Sequence, residues 1–128
     1  MFKSIFCLRY NNKIINYFTK NEFSGKFNDS KNVYKSLVGK ASCGDVLKLE
    51  VKIEDEIIKD AKYKVFGCGS AIASSELLCE LLINKNINEI NIDNKVISSK
   101  LNLPPIKIHC SVLAEEAIEK IIAEYKKN

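Results

Sequence analysis

The sequence predicts an α+β domain, a small antiparallel three-stranded sheet packed by helices, and three observations carry that prediction. Leu47, Leu49, Val51 and Ile53 alternate with Lys48, Glu50 and Lys52, the period of two of a strand with one buried face. After the polar connection Glu54-Asp55-Glu56, Ala61, Tyr63 and Val65 alternate with Lys62 and Lys64, so the two strands make an antiparallel hairpin. Near the C-terminus Ala114, Ala117, Ile118, Ile121, Ile122 and Tyr125 fall on one helical face, with Glu115, Glu116, Glu119, Lys120 and Glu124 elsewhere. A chain of 128 residues has room for one such core.

The remaining elements follow in order. Ile14, Ile15, Tyr17 and Phe18 give residues 13–20 the pattern of a short amphipathic helix. Residues 21–32 are polar, hold Gly25, and read as a loop. Residues 33–38 make the third strand, leading into a cysteine loop over 39–44. Gly67 and Gly69 bracket Cys68 where the hairpin ends, giving the backbone freedom for a turn into a helix over 70–83, with Ser70 as its cap. Ala71, Ala73, Ser74 and Ser75 keep the first half of that helix small for close packing, and Leu77, Leu78, Leu81 and Leu82 follow. A short helical turn is expected within 84–94 and another over 96–101. Pro104-Pro105 stops any helix and holds the chain extended before Cys110 begins the last helix.

Composition removes several function classes. The net charge of +4 comes with no basic stripe interleaved with aromatics, which argues against nucleic acid. No apolar run approaches the roughly 18 residues of a membrane span. Five cysteines, an odd number without turn-rich secretory spacing, point to a reducing compartment and to metal or sulfur chemistry. Residues 1–12 carry Lys3 and Arg9, no acid, and Phe2, Ile5, Phe6 and Leu8. They read as a short organelle-targeting leader or as a plain unstructured one, leaving 13–128 as the folded domain.

Three cysteines stand beside telling neighbours. Cys43 lies in Ala41-Ser42-Cys43-Gly44-Asp45, Cys68 in Phe66-Gly67-Cys68-Gly69-Ser70, and Cys110 follows His109, the only histidine. Thiolate, imidazole and carboxylate are the donors that hold zinc or iron, and here they can meet only in a folded site. Cys68 and Cys110 both open helices, where unpaired amides favour thiolate, so both are expected to have lowered pKa values. The competing reading makes each a buried small hydrophobe. That reading is preferred for Cys79, which shares a helical stripe with Ile72 and Ile83, while Cys7 belongs to the leader. His109 alone fits a core histidine, but beside Cys110 it reads as a ligand or proton acceptor.

Three stretches carry a resemblance: Cys43-Gly44-Asp45-Val46, Gly67-Cys68-Gly69-Ser70-Ala71-Ile72-Ala73-Ser74-Ser75, and Leu103-Pro104-Pro105-Ile106-Lys107-Ile108-His109-Cys110-Ser111. With them, residues 13–126 resemble the IscU family of iron–sulfur cluster assembly scaffolds. The resemblance implies a SufE/IscU-like fold and a transient 2Fe–2S cluster built from iron on Asp45, Cys43, Cys68, His109 and Cys110, with zinc an alternative resting occupant. It makes Cys110 the sulfur acceptor. It makes Asp45, a harder and weaker ligand than thiolate, the residue that eases cluster release. Leu103, Pro104, Pro105, Ile106 and Lys107 resemble the segment read by a DnaK-type chaperone, with a rigid connector as the plainer reading. Lys107 also lies close enough in sequence to help hold a thiolate.

The implied partners are a cysteine desulfurase, the chaperone and its J-protein, a frataxin-like protein, a ferredoxin and acceptor apoproteins. The implied location is the mitochondrial matrix or a derived organelle such as a mitosome, with the cytoplasm as alternative. Residues 21–24 depart from the family's Pro-Arg-Asn-Val, and residues 84–96 are shorter and diverged. The alternative function is a zinc-dependent sulfurtransferase of the SufU type. Those proteins carry an insertion after the Cys68-type helix and lack the histidine and the chaperone segment, whereas this chain has no insertion and keeps both. A zinc-stabilised binding module is the third reading, but a closed zinc site needs four ligands and five candidates are present.

Overall fold

The computed structural model describes residues 12–28, 31–40 and 44–127. Its elements are α1 (Asn12–Lys20), β1 (Val33–Lys40), β2 (Asp45–Glu54), β3 (Ile57–Phe66), α2 (Gly69–Leu82), α3 (Asn94–Leu101), a 3-10 turn (Pro105–Lys107) and α4 (Ile108–Lys127). The strands form one antiparallel sheet in the order β1-β2-β3. This is the predicted α+β architecture. The leader expected over 1–12 lies outside the described residues except for Asn12, which opens α1.

The alternation in β2 sends Leu47, Leu49, Val51 and Ile53 into the core, where α4 packs on β1 and β2 and α2 packs on β3. Ser36 fastens β1 to α4, its Oγ donating to the Ala117 carbonyl at 2.9 Å. β3 begins four residues before the predicted alternation. The chain turns at Asp55 and Glu56, both at positive φ (53° and 66°), as a two-residue hairpin requires. A register shift at Lys52/Ile53 then places the buried Ile58 and Ala61 three residues apart, which hides the period of two.

Three local expectations are corrected. The cap of α2 is Cys68, in extended conformation (φ −79°, ψ 171°), while Ser70 lies buried in the first turn. Residues 84–93 form turns and no helix, because much of their backbone bonds to the hairpin. The amides of Asn84 and Ile87 donate to the carbonyls of Ile58 and Glu56, and the Ile58 amide donates to Lys85. Asp93 then caps α3 by accepting from the Val96 amide at 3.0 Å, and Asn102 (φ 52°) ends it in the left-handed region. Finally, Pro104 is extended but Pro105 is not: it opens the 3-10 turn that runs straight into α4, since the first helical position needs no amide donor.

Glu76, which sequence alone would leave on a helix surface, is completely buried. Its carboxylate accepts the amides of Glu22 (3.0 Å) and Phe23 (3.2 Å), and Phe23 and Gly25 exchange backbone bonds with Tyr63. The segment after α1 is thereby tied to α2 and β3. Glu76→Ala strands two part-buried amides, so we predict a loss of about 2–6 kcal/mol, at roughly 1–3 kcal/mol per unpaired group. Denaturant unfolding measures it. An unchanged midpoint would mean that the carboxylate does not hold this segment.

Candidate metal centre

The site lies at one end of the sheet, where three elements start. Gly44 turns at φ 83° and delivers Asp45 to the first position of β2. The pairing of Val46 with Phe66 sets Asp45 beside the turn at Gly67 and Cys68. His109 and Cys110 occupy the first turn of α4. Side-chain donors of Asp45, Cys68, His109 and Cys110 all lie within 4.8 Å of one another. Asp45 Oδ1 accepts the Cys68 amide at 3.3 Å, and Oδ2 lies 3.0 Å from His109 Nε2. Cys110 Sγ is 3.5 Å from both Cys68 Sγ and His109 Nε2.

Four of the five sequence-predicted ligands therefore come together. The fifth, Cys43, lies outside the described residues, as does Cys7. Cys79 is fully buried in the core and burial raises its pKa, in keeping with its reading as a core residue. Lys107, at the end of the 3-10 turn, contributes positive potential at both site thiols. No disulfide links the three described cysteines.

The expectation that both thiols are acidified holds for Cys68 and fails for Cys110. Either sulfur could donate across the 3.5 Å contact, and the bond to Cys110 makes Cys68 the acidic member, lowering its pKa to about 5, helped by the Ala71 amide and Lys107 against burial and Asp45. The same bond, with burial and the adjacent charge, raises the Cys110 pKa. Two sulfurs this close share one proton, so the first leaves readily and the second hardly at all. A cation bound to both sulfurs displaces the proton they share, which couples metal binding to proton release. Two thiols, an imidazole and a carboxylate form a donor set that suits iron and zinc.

Sequence reasoning missed what the glycines beside Asp45 do. A Cβ on Gly67 would collide with Asp45 Oδ1, and one on Gly39 with the Asp45 carbonyl oxygen. Gly67 is not at positive φ, so the turn does not demand a glycine there. No pattern in one sequence reveals such a contact across a strand pair.

The shared proton predicts a pH profile. Cys68 becomes more reactive as pH rises through its pKa, so in reduced, metal-free protein its alkylation should climb near pH 5 and level off by neutrality, with Cys110 unmodified. Cys110→Ala removes the S–H donor, raises the Cys68 pKa and moves that midpoint upward. Peptide mapping after iodoacetamide treatment reads both, and a midpoint that stays in place in Cys110→Ala would refute the shared proton.

Comparison with known proteins places the chain in a family. The NifU-like N-terminal domain family matches residues 9–128. The chain is 51% identical over 119 residues to the iron–sulfur cluster assembly protein IscU of Plasmodium falciparum, covering 91% of this chain and 74% of that protein. It is 49% identical over 120 residues to iron sulfur cluster assembly protein 1 of the microsporidian Trachipleistophora hominis (92% and 87%), and 48% identical over 122 residues to the scaffold protein IscU of Escherichia coli K12 (93% and 95%). Its fold matches a crystal structure of a cluster assembly scaffold assigned to the SUF system of Fervidobacterium islandicum, with a TM-score of 0.71 at 22% identity over 91% of this chain and 98% of that one. It also matches the N-terminal part of a NifU-like protein of Brucella abortus, with a TM-score of 0.72 at 16% identity over 92% and 94%. The chain belongs to the NifU-like N-terminal domain family, among the IscU scaffolds.

Proposed function

We propose that this protein is a non-enzymatic scaffold on which a 2Fe–2S cluster is assembled from iron and desulfurase-derived sulfur and then passed to acceptor apoproteins. One observation carries the reading: in a chain of this family, a carboxylate, an imidazole and two thiols converge within 4.8 Å. Cys43 is the proposed third thiolate, two residues before Asp45. The histidine in the donor set favours the scaffold over the sulfurtransferase alternative, and the likeness to the SUF-system structure speaks for the fold alone.

Each residue has a proposed task. Cys43, Cys68, Cys110, His109 and Asp45 hold iron. Cys110 accepts sulfur: its thiolate bonds to the outer sulfur of the desulfurase persulfide, whose S–S bond breaks to leave the desulfurase thiolate. Two electrons from a ferredoxin then cleave the new S–S bond and supply sulfide. The geometry sets a condition on that step. Cys110 is 1% exposed and the neighbouring Cys68 sulfur raises its pKa, so its proton must leave to a base or be displaced by metal before sulfur can arrive. Asp45, an oxygen donor among sulfurs, is the proposed weak point at which the cluster is surrendered.

Leu103, Pro104, Pro105, Ile106 and Lys107 are proposed as the segment a DnaK-type chaperone reads, with its J-protein bringing the two together. A groove for extended peptides would require opening the turn held by the bond from the Lys107 amide to the Pro104 carbonyl, 2.8 Å long. Opening it would shift the start of α4, and with it His109 and Cys110, which gives chaperone binding a direct route to cluster release. A frataxin-like protein completes the proposed partner set. The proposed location is a mitochondrion or mitochondrion-derived organelle, reached by a leader within residues 1–12.

Anaerobic reconstitution with ferrous iron, cysteine and a cysteine desulfurase tests the proposal. Wild type should develop the visible absorption of a labile 2Fe–2S cluster, Cys68→Ser and Cys110→Ser should not, and Cys79→Ser should, because its thiol is sealed in the core. Loss of the cluster in a folded Cys79→Ser, or tight zinc with catalytic sulfur transfer and no cluster in wild type, would sink the scaffold reading.

Asp45→Ala should assemble a cluster that lasts longer and moves to an apo-ferredoxin at least several-fold more slowly, since the exchangeable oxygen ligand is gone. A transfer rate equal to that of wild type, followed by ferredoxin absorption or circular dichroism, would remove Asp45 from the release step.

A further inference from the structure

The structure assigns Gly67 a role in the proposed cluster site, on whose reading this inference rests: we propose that its missing side chain is the slot that positions the Asp45 carboxylate. Three glycines surround Asp45, and they differ in kind. Gly44 turns at φ 83° and a Cβ there would meet nothing within 4 Å, so its backbone conformation explains it. Gly39 sits at φ 93° and faces the backbone carbonyl of Asp45, so fold and space both demand it. Gly67 has no such backbone demand. What a Cβ on it meets first is Oδ1 of Asp45, then the carboxylate carbon at 3.2 Å, with the Ala71 methyl at an ordinary 3.4 Å.

Oδ1 is the oxygen that accepts the Cys68 amide, and Oδ2 is the one beside His109. The carboxylate is therefore held from three sides: the amide fixes one oxygen, the imidazole the other, and the bare Cα of Gly67 leaves room for both. A short side chain can swing away from an added methyl while the backbone stays in place. The expected consequence of Gly67→Ala is a folded protein whose Asp45 is expelled from the donor set, leaving Cys68, His109 and Cys110 in position. Gly67 is a positioning residue, acting on the metal only through Asp45.

The test is a double-mutant cycle of Gly67→Ala and Asp45→Ala, read in two ways. Cobalt(II) titration, followed by its visible absorption, should show about tenfold weaker binding in Gly67→Ala, as expected for loss of a residue that orients a ligand, and a similar loss in Asp45→Ala. The double variant should bind no worse than Asp45→Ala alone. In metal-free protein, hydrogen exchange at the Cys68 amide should speed up in Gly67→Ala and gain nothing further in the double variant. Additive losses in cobalt binding, or an unchanged Cys68 amide in Gly67→Ala, would overturn the proposal. Should Gly67→Ala fail to fold, the double variant must fold for the slot to stand. The metal reading fails separately if Asp45→Ala binds cobalt as tightly as wild type while the Cys68 amide still opens in Gly67→Ala.

Discussion

The Asp45 carboxylate joins three chain starts at one end of the sheet. It leaves the first residue of β2, accepts the amide at the cap of α2, and reaches the imidazole in the first turn of α4. The sheet register and the packing of α2 and α4 on the core set those three starts near each other, and the carboxylate fixes their mutual geometry. Both site thiols lie beside these contacts, because Cys68 supplies the amide and Cys110 follows the histidine.

The resting site holds itself together with protons where the proposed cargo would use metal. One proton is shared by two sulfurs 3.5 Å apart, and a 3.0 Å contact joins the carboxylate to the imidazole. Loading displaces the proton shared by the thiols and unloading returns it, so neither state leaves the buried sulfur of Cys110 without a partner. That balance suits a site meant to give up what it holds. An all-thiolate cage bound in a rigid core would not, and Cys79, the one described thiol in such surroundings, takes no part.

The helices, the sheet and most of the site were legible in the sequence wherever the signal was local. The strict alternation from Leu47 to Ile53 named β2, and the apolar stripe from Ala114 to Ile121 named α4, because burial on one face writes a period into the chain. Cys68, His109 and Cys110 stood out through residue types that rarely sit together for other reasons. What stayed hidden depends on partners distant in sequence. The start of β3 is masked by a register shift against β2. The burial of Glu76 follows from two amides 53 and 54 residues away. The raised pKa of Cys110 comes from a second thiolate that no helix-start argument contains. Gly67 looks like a turn glycine until Asp45 is seen against it.

The most direct test of the account is iron K-edge X-ray absorption on the anaerobically reconstituted protein. Asp45 or His109 in the coordination shell predicts a nitrogen or oxygen scatterer alongside the sulfurs, weakened or lost in the variants of those two residues. A shell made only of sulfur in wild type, unchanged by either substitution, would contradict the claim that this carboxylate and imidazole bind the cluster.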